Sequence, residues 1–288
     1  MLSKEQSDII KAIQDLQDKL ITDMDGRLPV IFKDLANQVI EISNEFSFDA
    51  KDRVKNLQKL RVIKKQIADA IVENSAYQLA VKEVLTGFKE IKNLSDSYYS
   101  LLIDGYSAKQ ELYKQILESN IQTTSDLLLG AEIRSNFDNA ITQVLKENIA
   151  GNTNRTNLQN VLREFIKGTP EQRAYLERYV TQTTNDAVMT FSREYNQVVS
   201  DDLNLQFYTY VGTRRQASRQ WCISRKGRYF KKSEVESWAS QNWDGKMPGT
   251  TKTTIFSLAG GFGCVDEFYA VTQTQYRVAE KRGLTGLR

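Results

Sequence analysis

The stretch SRQWCISRKGRYFKKSEVESWASQNWDGKMPG, residues 218–249, differs in composition from the rest of the chain. It contains all 3 tryptophans of the protein, one of its 2 cysteines and a run of lysines and arginines. Large rings favour burial, whereas cations favour solvent or a partner. The stretch therefore predicts a small packed module with a tryptophan core. The predicted core residues of this module are Trp221, Trp238, Trp243, Gly260 and Gly261.

The first 150 residues show a different pattern, in which apolar side chains recur every three or four positions. One such stripe contains Ile9, Ile13, Leu16 and Leu20, and a second extends over residues 57–71. This spacing places the apolar groups on one face of a helix, with Lys, Glu, Gln and Asp on the other. The sequence therefore predicts long amphipathic helices in this part of the chain.

Residues that disfavour helix predict where these helices end. We expect the first helix to end at Asp25-Gly26 and Pro29, with a further break at residues 95–97. Loops are also expected at residues 43–49, 104–107 and 151–154. Ser107 is a candidate cap for the helix that follows it, and Pro170 fits the first position of another long helix.

Beyond that long helix the sequence becomes aromatic and rich in glycine. Candidate strands lie at residues 207–211, 228–230, 254–260 and 267–272, around one helix at residues 233–243. We expect a mainly α protein, in which long amphipathic N-terminal helices form a bundle or a coiled coil and precede a small α+β module. The expected organisation is a helical region at 1–150, connecting helices including a long one at 151–204, and a compact basic C-terminal module at 205–288.

Composition excludes several classes of active site. No histidine occurs among the 288 residues, which excludes Ser-His-Asp and Cys-His machinery and any His-containing metal site. No apolar run approaches the ~20 residues that cross a bilayer, and the N-terminus lacks the apolar centre of a signal peptide. We therefore expect a protein that is made and used without secretion and without membrane contact.

Positive charge is concentrated at the C-terminal end of the chain. The net charge is +3, yet residues 212–288 carry 14 Lys or Arg against 6 Asp or Glu. Such a stretch could neutralise phosphates, and Trp221, Tyr229 and Phe230 could stack on bases. The alternative is that these rings pack in the module's own core with Arg over them. The candidate residues for binding an anionic partner are Arg214, Arg215, Arg219, Arg225, Lys226, Arg228, Lys231 and Lys232.

Cys222 and Cys264 are the candidate structural cysteines, and three interpretations of them stay open. They are reduced residues of the core, the two halves of a disulfide in a particle outside the reducing cytosol, or part of a metal site completed by Asp266 or a second chain. The first is preferred, so no metal and no other cofactor is predicted. Residues 260–263 lack the signature of a P-loop and predict a tight turn that leads to Cys264. Asp266-Glu267 is the one pair of adjacent acids in the module; a cation site is the alternative there, and a surface turn is the preferred expectation.

The ordered motifs of the C-terminal part resemble those of the head morphogenesis proteins of tailed bacteriophages, also called minor head or Mu F-like proteins. The similarity extends over about 100 residues, from Tyr175 to Thr272. The matching segments are Ser218-Arg219-Gln220-Trp221-Cys222, Gly227-Arg228-Tyr229-Phe230, Glu234 to Trp238, Gly260-Gly261-Phe262-Gly263-Cys264 and a last strand at Phe268 to Thr272. One segment departs from the pattern: the family's Cys-Arg-His is Cys264-Val265-Asp266 here. No role that requires that histidine is carried over.

The resemblance implies a structural virion protein present in few copies, and not an enzyme. Its partners would be the portal protein and other capsid proteins, with packaged DNA as a partner of some relatives, and a homo-oligomer around the portal is compatible with it. The implied location is the virion head near the portal vertex, and the host cytoplasm during assembly.

Two alternatives of other classes stay open. The first is a DNA-binding or DNA-ejection protein of the virion, for which nucleic acid is the main partner. The second is a toxin-type transferase that uses Arg219 with Glu234 or Glu236. The absence of an acid pair beside a phosphate cradle argues against the second.

Overall fold

The structure of the protein is a computed structural model that describes residues 1–107, 110–151, 154–169, 173–213 and 218–287. Within these residues the chain is mainly helical, with a small antiparallel sheet near its C-terminus, as the sequence predicts. The N-terminal helices are α1 (Lys4–Ser43), α2 (Arg53–Glu73), α3 (Ser75–Leu102), α4 (Gln110–Leu129), α5 (Ala131–Ala150), α6 (Arg155–Lys167) and α7 (Tyr175–Asp202). The C-terminal elements are β1 (Phe207–Val211), α8 (Gln220–Ile223), β2 (Tyr229–Lys231), α9 (Lys232–Ser237), α10 (Ile255–Leu258), β3 (Glu267–Val271) and α11 (Gln273–Lys281).

The chain divides into two compact units, each assembled from separate segments. The helical unit consists of Leu20–Leu85 and Gln122–Thr184, and the mixed unit consists of Met1–Lys19, Thr86–Ile121 and Asn185–Arg288. The C-terminal module therefore lies within the mixed unit, together with segments that are distant in sequence. No helix in the described part of the chain is long and apolar enough to cross a membrane.

In the helical unit, α5 packs against both α2 and α6. The buried face of α5 has a strict spacing of four, and the buried face of α2 is its predicted stripe, although Leu57 itself is exposed. The buried positions are Ile133, Phe137, Ile141, Leu145 and Ile149 on α5, with Leu60, Ile63, Ile67 and Ile71 on α2. Lys64 and Asp138 form an ion pair of 2.8 Å between the two helices. Apolar stripes thus build a helical bundle here, and ion pairs lie at its edge.

The expected end of the first helix at Asp25-Gly26 and Pro29 was wrong, because α1 continues to Ser43. Glycine and proline inside a helix cost about 1 and about 3 kcal/mol relative to alanine. Each fully buried large apolar side chain stabilises the fold by about 1.5–3 kcal/mol, and the helical turns around and after Pro29 bury several of them. The buried residues there are Leu28, Ile31, Phe32, Leu35, Ala36 and Val39. Burial therefore outweighs the two local penalties.

The expected break at residues 95–97 was also wrong, because α3 passes through it to Leu102. Ser97 Oγ donates a hydrogen bond to the carbonyl oxygen of Asn93 at 2.9 Å. A serine that bonds to the carbonyl four residues earlier is compatible with a helix. Asp96 pairs with Lys92 one turn earlier at 2.7 Å. Tyr98 and Tyr99, which follow directly, are fully buried. The loop expected at residues 104–107 does follow this helix.

In the C-terminal module, three of the four strand candidates are strands and one is not. The segment at 254–260 forms the short helix α10, so the strand expected there was wrong. The helix expected at 233–243 is shorter, because α9 ends at Ser237 and a single 3-10 turn follows to Ser240. The proposed helix starts after Ser107 and at Pro170 fall on or beside residues 108–109 and 170–172, which lie outside the described residues.

Candidate functional site

The sheet of the C-terminal module has the strand order β2-β1-β3, and both pairings are antiparallel. In this register Tyr210 of the central strand lies opposite Phe268 of β3, and Tyr208 lies opposite Phe230 of β2. Tyr210 and Phe268 have ring centroids 4.6 Å apart, and both are buried. The sheet therefore places a layer of aromatic side chains under the segment that carries the tryptophans.

The three tryptophans do come together, as predicted for the module core. Trp221 stacks on Trp243 with centroids 4.6 Å apart and meets Trp238 edge-on at 5.9 Å. Trp221 and Trp238 are buried, whereas Trp243 is partly exposed. The indole N–H of Trp243 donates to the carbonyl of Gly260 at 3.0 Å. The stacked pair thus joins α8 to the glycine turn at residues 260–263.

Arg225, a predicted anion-binding residue, is buried between two of these rings. Its guanidinium lies 4.0 Å from the ring centroid of Trp221 and 4.3 Å from that of Trp238. It also donates to the carbonyl of Trp221 at 2.8 Å and to the amide oxygen of Gln241 at 3.2 Å. Burial lowers the pKa of Arg225 to about 10. Its position is that of a cation held by π faces inside the module.

The two glycines predicted for the core are buried, and the space around them excludes a side chain. A Cβ on Gly260 would lie 2.5 Å from Cys222 Sγ and 2.8 Å from Cys264 Sγ. A Cβ on Gly261 would lie 1.9 Å from the carbonyl oxygen of Gly245, and its φ of +95° is one that L residues rarely adopt. The tight turn expected here is therefore present, and it closes directly over the cysteines.

Cys222 and Cys264 are free, buried thiols whose sulfur atoms are 3.8 Å apart. The hydroxyl of Tyr210 lies 3.6 Å from Cys222 Sγ and 3.5 Å from Cys264 Sγ. The backbone N–H of Asp266 donates to Cys264 Sγ at 3.4 Å. The hydrogen bond between the thiols lowers the pKa of Cys264 and raises that of Cys222. Of the two cysteines, Cys264 is thus the one whose surroundings favour the thiolate form.

The expected surface position of Asp266-Glu267 was wrong, because both carboxylates are buried. Lys226 Nζ lies 2.8 Å from Asp266 Oδ1, although the two groups are not aligned for a hydrogen bond. Burial, and then the nearby Cys264, raises the pKa of Asp266 to about 6. One carboxylate oxygen lies within 4.8 Å of both sulfur atoms. The acid, the two thiols and the phenol of Tyr210 thus form one cluster.

Glu267 is the centre of a buried network that the sequence did not indicate. Its carboxylate accepts from Gln17 Nε2 at 2.5 Å and from Ser192 Oγ at 2.8 Å. Burial raises its pKa, whereas the nearby Arg193 guanidinium lowers it. Arg193 also donates to the carbonyls of Cys264 and Asp266. Polar residues at Gln17 and Arg193 on otherwise amphipathic helices were the available signal, but their partner lies 250 and 74 residues away.

The remaining predicted anion-binding residues are mostly held by the protein itself. Arg219 donates to the carbonyls of Gly260 and Phe262, and Arg228 donates to those of Gly283, Thr285 and Gly286. Lys232 pairs with Asp201 at 2.6 Å. Lys231 is exposed. Arg214 and Arg215 lie outside the described residues.

A cavity of about 140 Å³ adjoins the cysteine cluster. Its walls include Cys222, Cys264 and Asp266, together with Ser218, Arg219 and the turn at residues 263–265. The site therefore offers thiol and carboxylate groups next to a small open space, in a chain that has no imidazole base. Comparisons of the chain with protein-family models, with curated proteins and with solved structures give no match.

Proposed function

We propose that this chain is a structural minor head protein of a tailed phage. It associates with the portal and the capsid interior and acts in head morphogenesis without catalysing a reaction. The C-terminal module serves as a protein-interaction unit in this role. The long helices supply further contact surface for other head proteins.

The observation that carries the proposal is the convergence of the shared motifs. The segments that resemble the phage family are spread over residues 218–272, and they pack around one aromatic and thiol core. Trp238, for example, contacts Phe230 at 4.8 Å and Phe268 at 6.3 Å between ring centroids. A motif set shared through a common module is expected to form one core. Because the motifs pack together, they support a resemblance between whole modules and argue against a chance similarity of short sequence motifs.

The state of the cations favours a protein partner over nucleic acid. Phosphate binding needs Lys and Arg side chains that are free to release their counterions. Among the six described cations of the predicted set, Arg225 and Lys226 are engaged in the interior, and Arg219, Arg228 and Lys232 are tied to carbonyls or to Asp201. A module built in this way presents little unpaired positive charge from these residues.

Co-expression of the full chain with the portal protein of the same phage tests the proposal. We expect the two to co-purify and to give lysine cross-links between the portal and the C-terminal module, with Lys231 as an exposed reporter. An unrelated oligomeric protein with a similar number of surface lysines, co-expressed in the same way, is the control that shows whether the portal cross-links are specific. Separate elution of chain and portal without cross-links would contradict a portal-associated role.

A DNA-binding role is tested by filter binding to duplex DNA over a range of salt concentrations. If phosphate neutralisation dominates, the logarithm of the affinity falls linearly with the logarithm of the salt concentration, with a slope of about −0.9 per phosphate contact. We expect weak binding with a slope near zero. A steep slope would favour the DNA-binding alternative instead.

A further inference from the structure

We propose that Cys222, Cys264 and Asp266 form a binding site for a thiophilic divalent cation, with zinc as the ion that the donor set fits best. The two thiolates and one carboxylate oxygen are the protein ligands. The adjoining cavity supplies the space for a fourth ligand. The bound ion would link Cys222 of α8 to Cys264 and Asp266 ahead of β3, and so would stabilise the module.

The sulfur geometry agrees with tetrahedral coordination. Two thiolates bound to zinc at about 2.3 Å with a tetrahedral angle are about 3.8 Å apart. The two sulfur atoms lie 3.8 Å apart in the structure. A carboxylate oxygen of Asp266 lies within 4.8 Å of both. An ion could therefore reach all three donors after a small movement of the carboxylate.

The surroundings of the donors are those of a metal–thiolate site. The N–H of Asp266 donates to Cys264 Sγ at 3.4 Å, and such bonds stabilise a thiolate. Arg193 fixes the backbone carbonyls of Cys264 and Asp266, and so holds two ligand residues in place. Lys226 lies beside the carboxylate at 2.8 Å. Partners of this kind orient ligands and tune their basicity.

The net charge of the site is compatible with a bound cation. A divalent ion, two thiolates, the Asp266 carboxylate and the Lys226 ammonium sum to zero net charge, which suits a buried site. Binding would release one proton from each thiol to solvent, because only thiolates are ligands.

The cavity gives the ion an entry path and the site its fourth position. It measures about 140 Å³ and is lined by all three donor residues. The glycine turn lies close over the sulfurs, because any Cβ on Gly260 would come within 2.8 Å of both of them. A water molecule is the simplest fourth ligand, and a space of this size can hold one.

The experiment uses the full chain, purified under reducing, metal-free conditions and then titrated with Co²⁺ and with Zn²⁺. We expect one ion per chain, and for Co²⁺ a sulfur-to-cobalt charge-transfer band with the strong visible bands of a tetrahedral site. The chain contains only 2 cysteines, so a charge-transfer band can be assigned to them. Zinc should displace the cobalt and abolish both sets of bands.

Variants separate this site from adventitious binding. Cys222→Ser and Cys264→Ser should each lose the charge-transfer band or weaken binding at least about 100-fold, and Asp266→Asn should weaken it by about 10–100-fold. Glu236→Gln, a carboxylate of α9 outside the cluster, should bind like the wild type. Circular dichroism shows whether each variant is folded.

Three results would overturn the proposal. One is a folded wild-type chain with two titratable thiols that binds no stoichiometric zinc. Another is retention of full zinc binding by both serine variants. The third is a mass that is two hydrogens below that of the chain with two thiols, measured for protein purified from a reducing cytosol. A disulfide would then be the native state of the cysteine pair.

Discussion

The bundle of α2, α5 and α6 and the C-terminal module are built on different principles. The bundle buries aliphatic stripes of strict helical spacing and leaves its ion pairs at the edge, where Lys64 and Asp138 are about one-third exposed. The module buries its charges: Arg225 lies between indole rings, and Asp266 and Glu267 lie beneath the surface. The comparison shows that burial in the bundle follows from local pattern. Burial in the module depends on partners brought together by the fold.

The bundle and the module should differ in how far a single substitution lowers the free energy of unfolding. Loss of one partner of a surface ion pair leaves the other in water, which costs little. Loss of one partner of a buried pair leaves an uncompensated charge in a medium of low polarity, which costs several kcal/mol. Four substitutions test this difference, from the largest expected effect to the smallest.

Arg193→Met should cause the largest loss of stability. The guanidinium is buried, donates to two backbone carbonyls, and lies near the Glu267 carboxylate. Its removal should lower the free energy of unfolding by about 3–5 kcal/mol, measured by urea denaturation with tryptophan fluorescence. Arg178→Met, an exposed arginine on the same helix, is the matched control and should change it by less than about 0.5 kcal/mol. A loss below 1 kcal/mol for Arg193→Met would contradict the buried network.

Gly261→Ala should cost about 2–3 kcal/mol. The added methyl group would lie 1.9 Å from the Gly245 carbonyl, and the φ of +95° is unfavourable for alanine. Thermal unfolding followed by circular dichroism measures the effect. An unchanged melting temperature would show that the turn can relax and does not constrain the cysteines.

Gly26→Ala should have the opposite sign and stabilise the protein by about 0.5–1 kcal/mol. Gly26 lies inside α1, and a Cβ there meets no atom within 4 Å. Alanine loses less backbone entropy in a helix than glycine does. The same denaturation experiment measures the gain, and a loss of stability would mean that the helix needs glycine at this position.

Asp69→Asn should have the smallest effect, at most about 1 kcal/mol near neutral pH. Hydrogen bonds from Lys65 and then Arg134 lower the pKa of Asp69 in the folded state. Because the folded pKa is the lower one, the contribution is full above the unfolded pKa of about 4 and disappears as the pH falls through the folded value. The difference between variant and wild type should therefore shrink in acid. A difference that grows in acid would contradict the assignment.

The same contrast explains how much the sequence alone could predict. The stripe on α2 and the strands expected at 207–211 and 267–272 follow from spacing and from turn residues, and they are present. The meeting of the three tryptophans also follows from their concentration in one stretch. Each of these features depends on residues close in sequence.

The predictions that were wrong concern features that are determined by residues distant in sequence. Gly26 and Pro29 were expected to end α1, but apolar burial further along the helix keeps it continuous. Asp266 and Glu267 look like a surface turn until Lys226, Gln17 and Ser192 supply partners. No local pattern indicates such partners, because they are distant in sequence. A buried acid is therefore the feature that a single sequence predicts least well.

The measurement that tests the proposed function most directly is quantitative mass spectrometry of tailed-phage particles purified from a culture in which this chain is expressed. The number of copies is determined relative to the portal protein. A portal-associated minor head protein predicts a small, fixed ratio between the two, reproduced from one preparation to the next. Absence of the chain from mature particles, together with its presence in infected cells, would contradict a structural role in the head.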